Sequence, residues 1–315
     1  MKKLFLYGLA AAAMMFASCS NDETVEEAQN QNAILFKGFV NKSTRATDLT
    51  EANLDGFKVW GVMKKGSSIG NPFVGKDVTK SGSSWIYSPP VYWEKGYSYS
   101  FVALASNGTY TLTPPSDYKT WGSLAFNNTD GTKDLLYAAK DCGSVSGGAC
   151  PAPVGFTFNH ILSRVRFVFD YNMPDGSTVT VSDIAITNAL SNGTATLGET
   201  LTEVSWAGNT PAALAFGNIT ASLSATSGRT NHKFMIPGTV AYNVTFKVTR
   251  VHHGVTDTYN HNVTMTSMTM DPGKSYQLKA TLDETNINPG ETLCPIVFTA
   301  SVAEWDAYTD EKITL

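Results

Sequence analysis

The chain never sustains a helical period. No stretch of 15 residues carries apolar side chains at helical spacing, whereas short alternating or apolar segments recur along almost its whole length. Residues 57–62 alternate. Residues 84–87 run to a break at Pro89-Pro90 and resume at Val91, Tyr92 and Trp93. Residues 97–103 alternate again, and 134–138 form another short segment. Beyond these come residues 156–160, 165–169, 179–186, 233–237, 242–248, 262–268 and 275–282. A Pro289-Gly290 turn then leads to a last strand at 296–302, with Trp305 and Ile313-Thr314-Leu315 closing the chain. Charged residues make up only 16% of the chain, and Thr, Ser, Gly, Val and aromatic side chains suit strands and turns. The expected fold is all-β, built as β-sandwiches.

Residues 141–155 are rich in Gly, Pro and Ser and make the best linker. They divide the body into an N-terminal sandwich, 46–155, and a C-terminal one, 156–315. Cys142 and Cys150 flank a flexible loop that could close a disulfide in an oxidising compartment, which leaves Cys294 as a small buried residue. No C-x-x-C spacing is present, and nothing calls for a metal or a cofactor. A formal net charge of −4 argues against nucleic-acid binding.

The N-terminus carries a different kind of signal. Lys2 and Lys3 precede an apolar stretch, 4–16, that is shorter than the ~20 residues of a membrane span. It ends in Phe16-Ala17-Ser18-Cys19, which resembles a bacterial lipobox. Residues 1–18 then read as a signal peptide, and Cys19 as the lipid acceptor that anchors the chain in a bilayer. An ordinary signal peptide with a chance cysteine is the alternative. Residues 20–32 are polar and acidic and read as a tether. Their acidic start resembles an export tag for the outer face of the outer membrane. Residues 33–40 are apolar enough to make one strand, and 41–47 are polar, loop-like and carry Lys42 and Arg45.

Catalytic signatures are missing: the sequence holds no G-x-S-x-G, P-loop, H-E-x-x-H or G-x-G-x-x-G. His252 and His253 are adjacent, so on a strand they face opposite sides. His160 reads as a buried, hydrogen-bonded residue rather than a base. Trp60, Trp85, Trp93 and Tyr99 could line a sugar site, although aromatic residues on sandwich strands usually belong to a core.

Taken in order, the segments resemble the fimbrillin family, the subunits of type V pili. Thr44-Arg45-Ala46 looks like that family's protease site behind a lipidated leader. Residues 85–89 with Tyr92-Trp93, then 99–103, look like its first-domain core. Residues 134–138 and 156–163 look like its central motifs, and Met235-Ile236-Pro237, residues 272–276 and 298–305 complete the set. Cys142 and Cys150 are no part of that pattern. The resemblance implies two tandem transthyretin-like, Greek-key sandwiches behind a leader, 19–45, that is cut between Arg45 and Ala46 by a trypsin-like, Arg-specific protease. Read by itself, Arg45 is an ordinary loop arginine.

The resemblance also implies assembly by strand exchange on the cell surface, with other fimbrillin subunits as partners, outer-membrane lipid held through Cys19, and a host glycan or protein as the adhesion target. Segment 33–40 would plug a groove in the first domain until the cut releases it. The donor would come from 295–315, with Ile296, Phe298, Ala300 and Val302 on one face by the period of two. Burial at ~1.5–3 kcal/mol per large apolar side chain is nearly cancelled by ~1–2 kcal/mol of ordering per residue, so a longer donor reaching Ile313 and Leu315 is expected. The competing reading is a surface glycan-binding lipoprotein that never polymerises.

Overall fold

The computed structural model describes residues 33–40, 48–50, 52–145, 153–219, 227–290 and 295–305. From Ile34 onward they belong to one unit. Cys19, Arg45, Ala46, Cys150, Cys294, Ile313 and Leu315 lie outside the described residues.

The first half contributes β1 (Phe36–Val40), β2 (Gly56–Lys65), β3 (Ser68–Ser81), β4 (Ser84–Ile86), β5 (Ser98–Ser106), β6 (Tyr110–Thr113), β7 (Ser123–Asn127), β8 (Leu135–Ser144) and β9 (Val154–His160). The second contributes β10 (Ser163–Asn172), β11 (Thr178–Thr196), β12 (Ser205–Gly217), β13 (Gly228–Arg229), β14 (Lys233–Met235), β15 (Gly238–Val240), β16 (Asn243–His252), β17 (Val255–Thr264), β18 (Met268–Met270), β19 (Lys274–Asp283) and β20 (Thr299–Glu304). Among the described residues the only helical element is a single 3-10 turn, Leu201–Glu203. The protein is all-β, as its sequence pattern requires.

Seven strands form the first sheet in the order β1-β9-β8-β5-β2-β3-β4. Its inner face encloses a core made by Phe36, Phe57, Val59, Phe73, Phe101 and Phe156. The alternation read at 57–62 is realised through Gly61, with Phe57 and Val59 buried and Lys58 and Trp60 half-buried, and ends at Val62, which is buried as well. Gly61 is required there, because a Cβ would lie 2.9 Å from the Phe101 ring. In the second half, a five-stranded sheet (β13-β10-β19-β20, with β14 beside β10) packs on a six-stranded one (β17-β16-β11-β7-β6, with β12 beside β11). Phe167 and Phe169 on β10, Leu278 on β19, Val181 on β11 and Phe246 on β16 fill the space between them.

A third core joins the halves. It takes Val102 and Leu104 from β5, Tyr137 from β8, Phe126 from β7, Leu190 from β11, and Phe234 and Trp305. Strand β5 is therefore buried on both faces, where its sequence alternation suggested one. Hairpin β6–β7 belongs to the first half in sequence, yet β7 pairs antiparallel with the far end of β11. The segment that opens the second half, 156–160, lies in β9 and completes the first sheet.

Other boundaries moved. Strand β8 runs through Asp141 to Ser144, into the segment read as linker. Strand β11 is 19 residues long, and its far half is held by β7 and β12 on either side. The last strand starts only at Thr299, the first residue paired with β19, while Ile296 and Phe298 enter the core ahead of it. The adjacent histidines do not point apart. His253 takes a φ of +49° in the two-residue turn of the β16–β17 hairpin, and its ring stacks on His252 at 4.0 Å.

Candidate functional site

Of the segment 33–40 read as one strand, Phe36–Val40 forms β1, and the whole segment alternates between buried and exposed positions from Ile34 on. Ile34, Phe36, Gly38 and Val40 point inward, and Leu35, Lys37 and Phe39 outward. Strand β1 lies parallel to β9, with Phe36 opposite Val154 and Val40 opposite Phe158. The Val154 amide donates to the Leu35 carbonyl at 2.6 Å. The other end of the sheet curls toward it. The Ile34 amide donates to the Val91 carbonyl at 2.8 Å, and the Tyr87 hydroxyl donates to the Ile34 carbonyl. Burial pushes the Tyr87 hydroxyl up from its ordinary value, so it remains a donor at neutral pH.

Phe36 is the anchor of this strand. Its ring centroid lies 5.2 Å from Phe73, 5.6 Å from Tyr87 and from Phe156, and 5.8 Å from Phe101. Four aromatic neighbours in edge or offset geometry make a specific socket, worth more than its buried area alone. Lifting β1 out would leave these rings and the outer backbone edge of β9 uncovered.

The chain is pinned again shortly after this strand. Asp48, fully buried, accepts hydrogen bonds from the Arg164 guanidinium and, at 3.0 Å, from the Trp305 indole N–H. Arg164 is itself fully buried; it also donates to the Trp305 carbonyl and, through Nε, to the Ser275 hydroxyl at 3.2 Å. The Trp305 ring stacks on His160 at 4.1 Å, and His160 Nδ1 lies 3.0 Å from Asp134. Asp134 accepts the Leu49 amide at 2.9 Å, so the segment entering at Asp48 is held at two consecutive residues. Desolvation pushes the Asp48 carboxyl up, the Asp134 charge adds to the rise, and the Arg164 charge opposes it.

His160 is buried and hydrogen-bonded, as its sequence context suggested. Arg164 and Asp48 were not singled out by the sequence reading. The available signal was a pair of arginines, Arg164 and Arg166, inside the largely apolar run 161–169, each of which demands a partner if buried.

The four residues read as a donor face separate into two pairs. Ile296 and Phe298 are buried, and Phe298 packs on Phe167, Phe169 and Phe246 with centroids 5.4, 5.6 and 5.8 Å away. Ala300 and Val302 are exposed on β20, opposite Leu278 and Tyr276 of β19. Ile296 and Phe298 precede β20 in irregular backbone, whereas Ala300 and Val302 lie on β20, the terminal strand of its sheet. Cys142 is disulfide-bonded. Trp60, Trp85 and Trp93 are half-buried and Tyr99 fully buried, all packed into the cores. Among the described residues, no cluster of three or more His, Cys, Asp or Glu is placed to hold a metal.

Comparison with known proteins fits this architecture. The fimbrillin-like family model matches residues 44–305. A crystal structure of a candidate cell adhesion protein from Bacteroides ovatus shares the fold, with a TM-score of 0.54 at 14% identity, covering 88% of this chain and 99% of that one. The fimbrial anchor protein of Porphyromonas gingivalis is also similar, with a TM-score of 0.38 and 16% identity, over 87% of this chain and 97% of that one. No curated protein matches the sequence.

Proposed function

The chain belongs to the fimbrillin-like family, and from that premise we propose that it is a structural subunit of a surface fimbria, exported as a lipoprotein on Cys19, cut after Arg45 and polymerised by β-strand exchange. The observation that carries this reading is β1. It is a short strand at the end of a sheet, its apolar face is in the core, and Arg45 follows its last residue by five positions.

The physics of release follows from connectivity. Burying Ile34, Phe36 and Val40 contributes ~1.5–3 kcal/mol each, a modest sum for a free peptide that must also lose its chain entropy. While covalently attached, the same strand competes at an effective concentration of ~mM and excludes strands from other copies. A cut after Arg45 removes that advantage without touching a single contact of β1. The plug then dissociates, and the β9 edge and the Phe36 socket invite a replacement strand. The replacement comes from the C-terminal segment of another subunit, and the cut subunit becomes one link of a polymer.

On this reading the partners are other fimbrillin subunits, an Arg-specific protease and outer-membrane lipid, with adhesion to a host glycan or protein as the outcome. The non-polymerising glycan-binding alternative has lost its sequence basis in Trp60, Trp85, Trp93 and Tyr99, which are committed to packing. The test is to incubate purified precursor with a trypsin-like protease and follow high-mass polymers by gel and electron microscopy. Wild type should polymerise after the cut. The Arg45→Ala variant should remain a folded monomer, and normal fibres from it would refute the trigger. Glycan-array binding by uncut monomer, with no polymer after cleavage, would favour the alternative.

A further inference from the structure

We infer that Arg164 is a positioning residue for this exchange: it clamps Asp48, near the start of the processed chain, and the root of the C-terminal tail to one buried point, so that both stay home when the plug leaves. The inference rests on the reading above, in which the cut falls after Arg45. Only Ala46 and Thr47 then separate the new N-terminus from Asp48.

The geometry is specific. One guanidinium serves both ends of the chain, donating to the Asp48 carboxylate and to the Trp305 backbone carbonyl. The two ends also bond to each other directly, through the Trp305 indole N–H and the same Asp48 oxygen that accepts from Arg164. Arg164 lies 5.0 Å over the Trp305 ring, and His160 and Phe234 stack on that ring at 4.1 and 5.8 Å. Two charges at zero exposure are costly to hold in place for stability alone. A fork that reads a carboxylate and a carbonyl together fixes position, which an apolar pair of the same size cannot do.

Before the cut, Asp48 is restrained from two sides, by the clamp and by its covalent link to β1. After the cut the link to β1 is gone, and the clamp is what ties the Asp48 side chain to the tail, beside the local bonds of Leu49 to Asp134 and of Asn53 to the Asp48 carbonyl. It keeps the new N-terminus from following the plug or returning to the slot. It also fixes Trp305, so residues before 305, including β20 and the buried Ile296 and Phe298, stay with their own domain, and exchange begins beyond that point.

Hydrogen exchange on the full chain tests this, before and after cleavage with an Arg-specific protease. Wild type is compared with a chain carrying both Asp48→Leu and Arg164→Met. Removing both charges together leaves none unpaired in the interior, a replacement that is often tolerated. In the cut protein, amides of Leu49, Thr50 and residues 299–304 should exchange at least tenfold faster in the double variant than in wild type. In the uncut pair the Leu49 and Thr50 amides should differ little, because the link to β1 still restrains them, while residues 299–304, which that link does not reach, should already exchange faster in the double variant; amides of β5 and β8 should match throughout. A merely structural ion pair would change protection of Leu49 and Thr50 equally before and after the cut. That result, or equal protection of 299–304 in both cut proteins, would overturn the clamp. Arg164→Lys keeps the charge but not the fork; it should show the same cut-dependent loss to a smaller degree and serves if the double variant does not fold. Polymers are followed in the same samples: cut wild type that stays monomeric refutes the fimbrial reading, while the exchange comparison still decides whether Arg164 ties the two ends.

Discussion

Gly38 of β1 faces the Phe158 ring of β9 so closely that a Cβ would lie 3.1 Å from that ring and 3.3 Å from the ring of Phe57. The inward face of the plug is thus large at Phe36 and empty at Gly38, matched to the rings behind it. Gly38→Val overfills the site and should cost about 1–3 kcal/mol in the uncut protein, measured by denaturant unfolding. A less tightly held plug leaves sooner, so the variant should also polymerise faster after cleavage at Arg45. Lower stability with an unchanged polymerisation rate would mean that plug departure does not limit assembly.

Phe298 and Val302 separate packing from exchange. Phe298 meets three aromatic rings of the C-terminal core, and Phe298→Ala should destabilise the monomer by about 3–5 kcal/mol. Val302 is 54% exposed, and Val302→Thr should shift stability by no more than about 0.5 kcal/mol. If the segment before Trp305 stays home during assembly, Val302→Thr also leaves polymer yield unchanged. A folded Val302→Thr monomer that no longer polymerises would instead return the donor role to residues 296–302.

Cys142 is bonded, and its side chain is buried against the first core at the end of β8. We propose Cys150 as its partner, which closes a loop of roughly nine residues, worth about 2.5 kcal/mol by loop entropy. Reduction, or Cys142→Ser, should lower stability by about that amount, and peptide mapping without reductant should recover Cys142 and Cys150 in one linked fragment. A fragment linking Cys142 to Cys294 would refute the pairing.

How far these features could be read from sequence depended on whether the governing interaction is local. Phe57 and Val59 on β2 announce themselves by alternation, since side-chain period and burial coincide there, whereas β5 alternates in sequence but is buried on both faces because the third core covers its second side. The far half of β11, through Asn188, Asn192 and Gly193, reads as loop by propensity. It is a strand because β7 and β12 bond to it from both sides, a tertiary effect that overrides propensity. Strand β3 was missed for a similar reason. Gly70, Asn71, Pro72 and Gly75 break its pattern, and irregular register against β2 accommodates them. At the candidate site, β1 and His160 were legible from their apolar surroundings. The bond between Asp48 and Arg164 spans 116 positions, and no spacing rule reaches that far.

His261 gives the fold a pH dependence of predictable sign. Its ring is buried, stacks on Phe246 at 4.9 Å, and has Nε2 2.9 Å from the Ile287 carbonyl. Desolvation lowers its pKa from the ordinary 6.5, and the bond to Ile287 opposes that only in part. The folded state therefore prefers the neutral ring, while the unfolded chain takes up a proton near the ordinary value. The stability this contributes is full above that value and is lost as the pH falls below it, because the unfolded state then binds more protons. Asp175, whose carboxyl is held below its ordinary range by Ser177 and Arg250, loses its contribution only in much stronger acid and does not overlap this window. Unfolding measured in urea from pH 7.5 down to 5.5 should show a decline in wild type, and His261→Gln should have a shallower one. Parallel profiles for the two proteins would show that His261 does not carry the dependence.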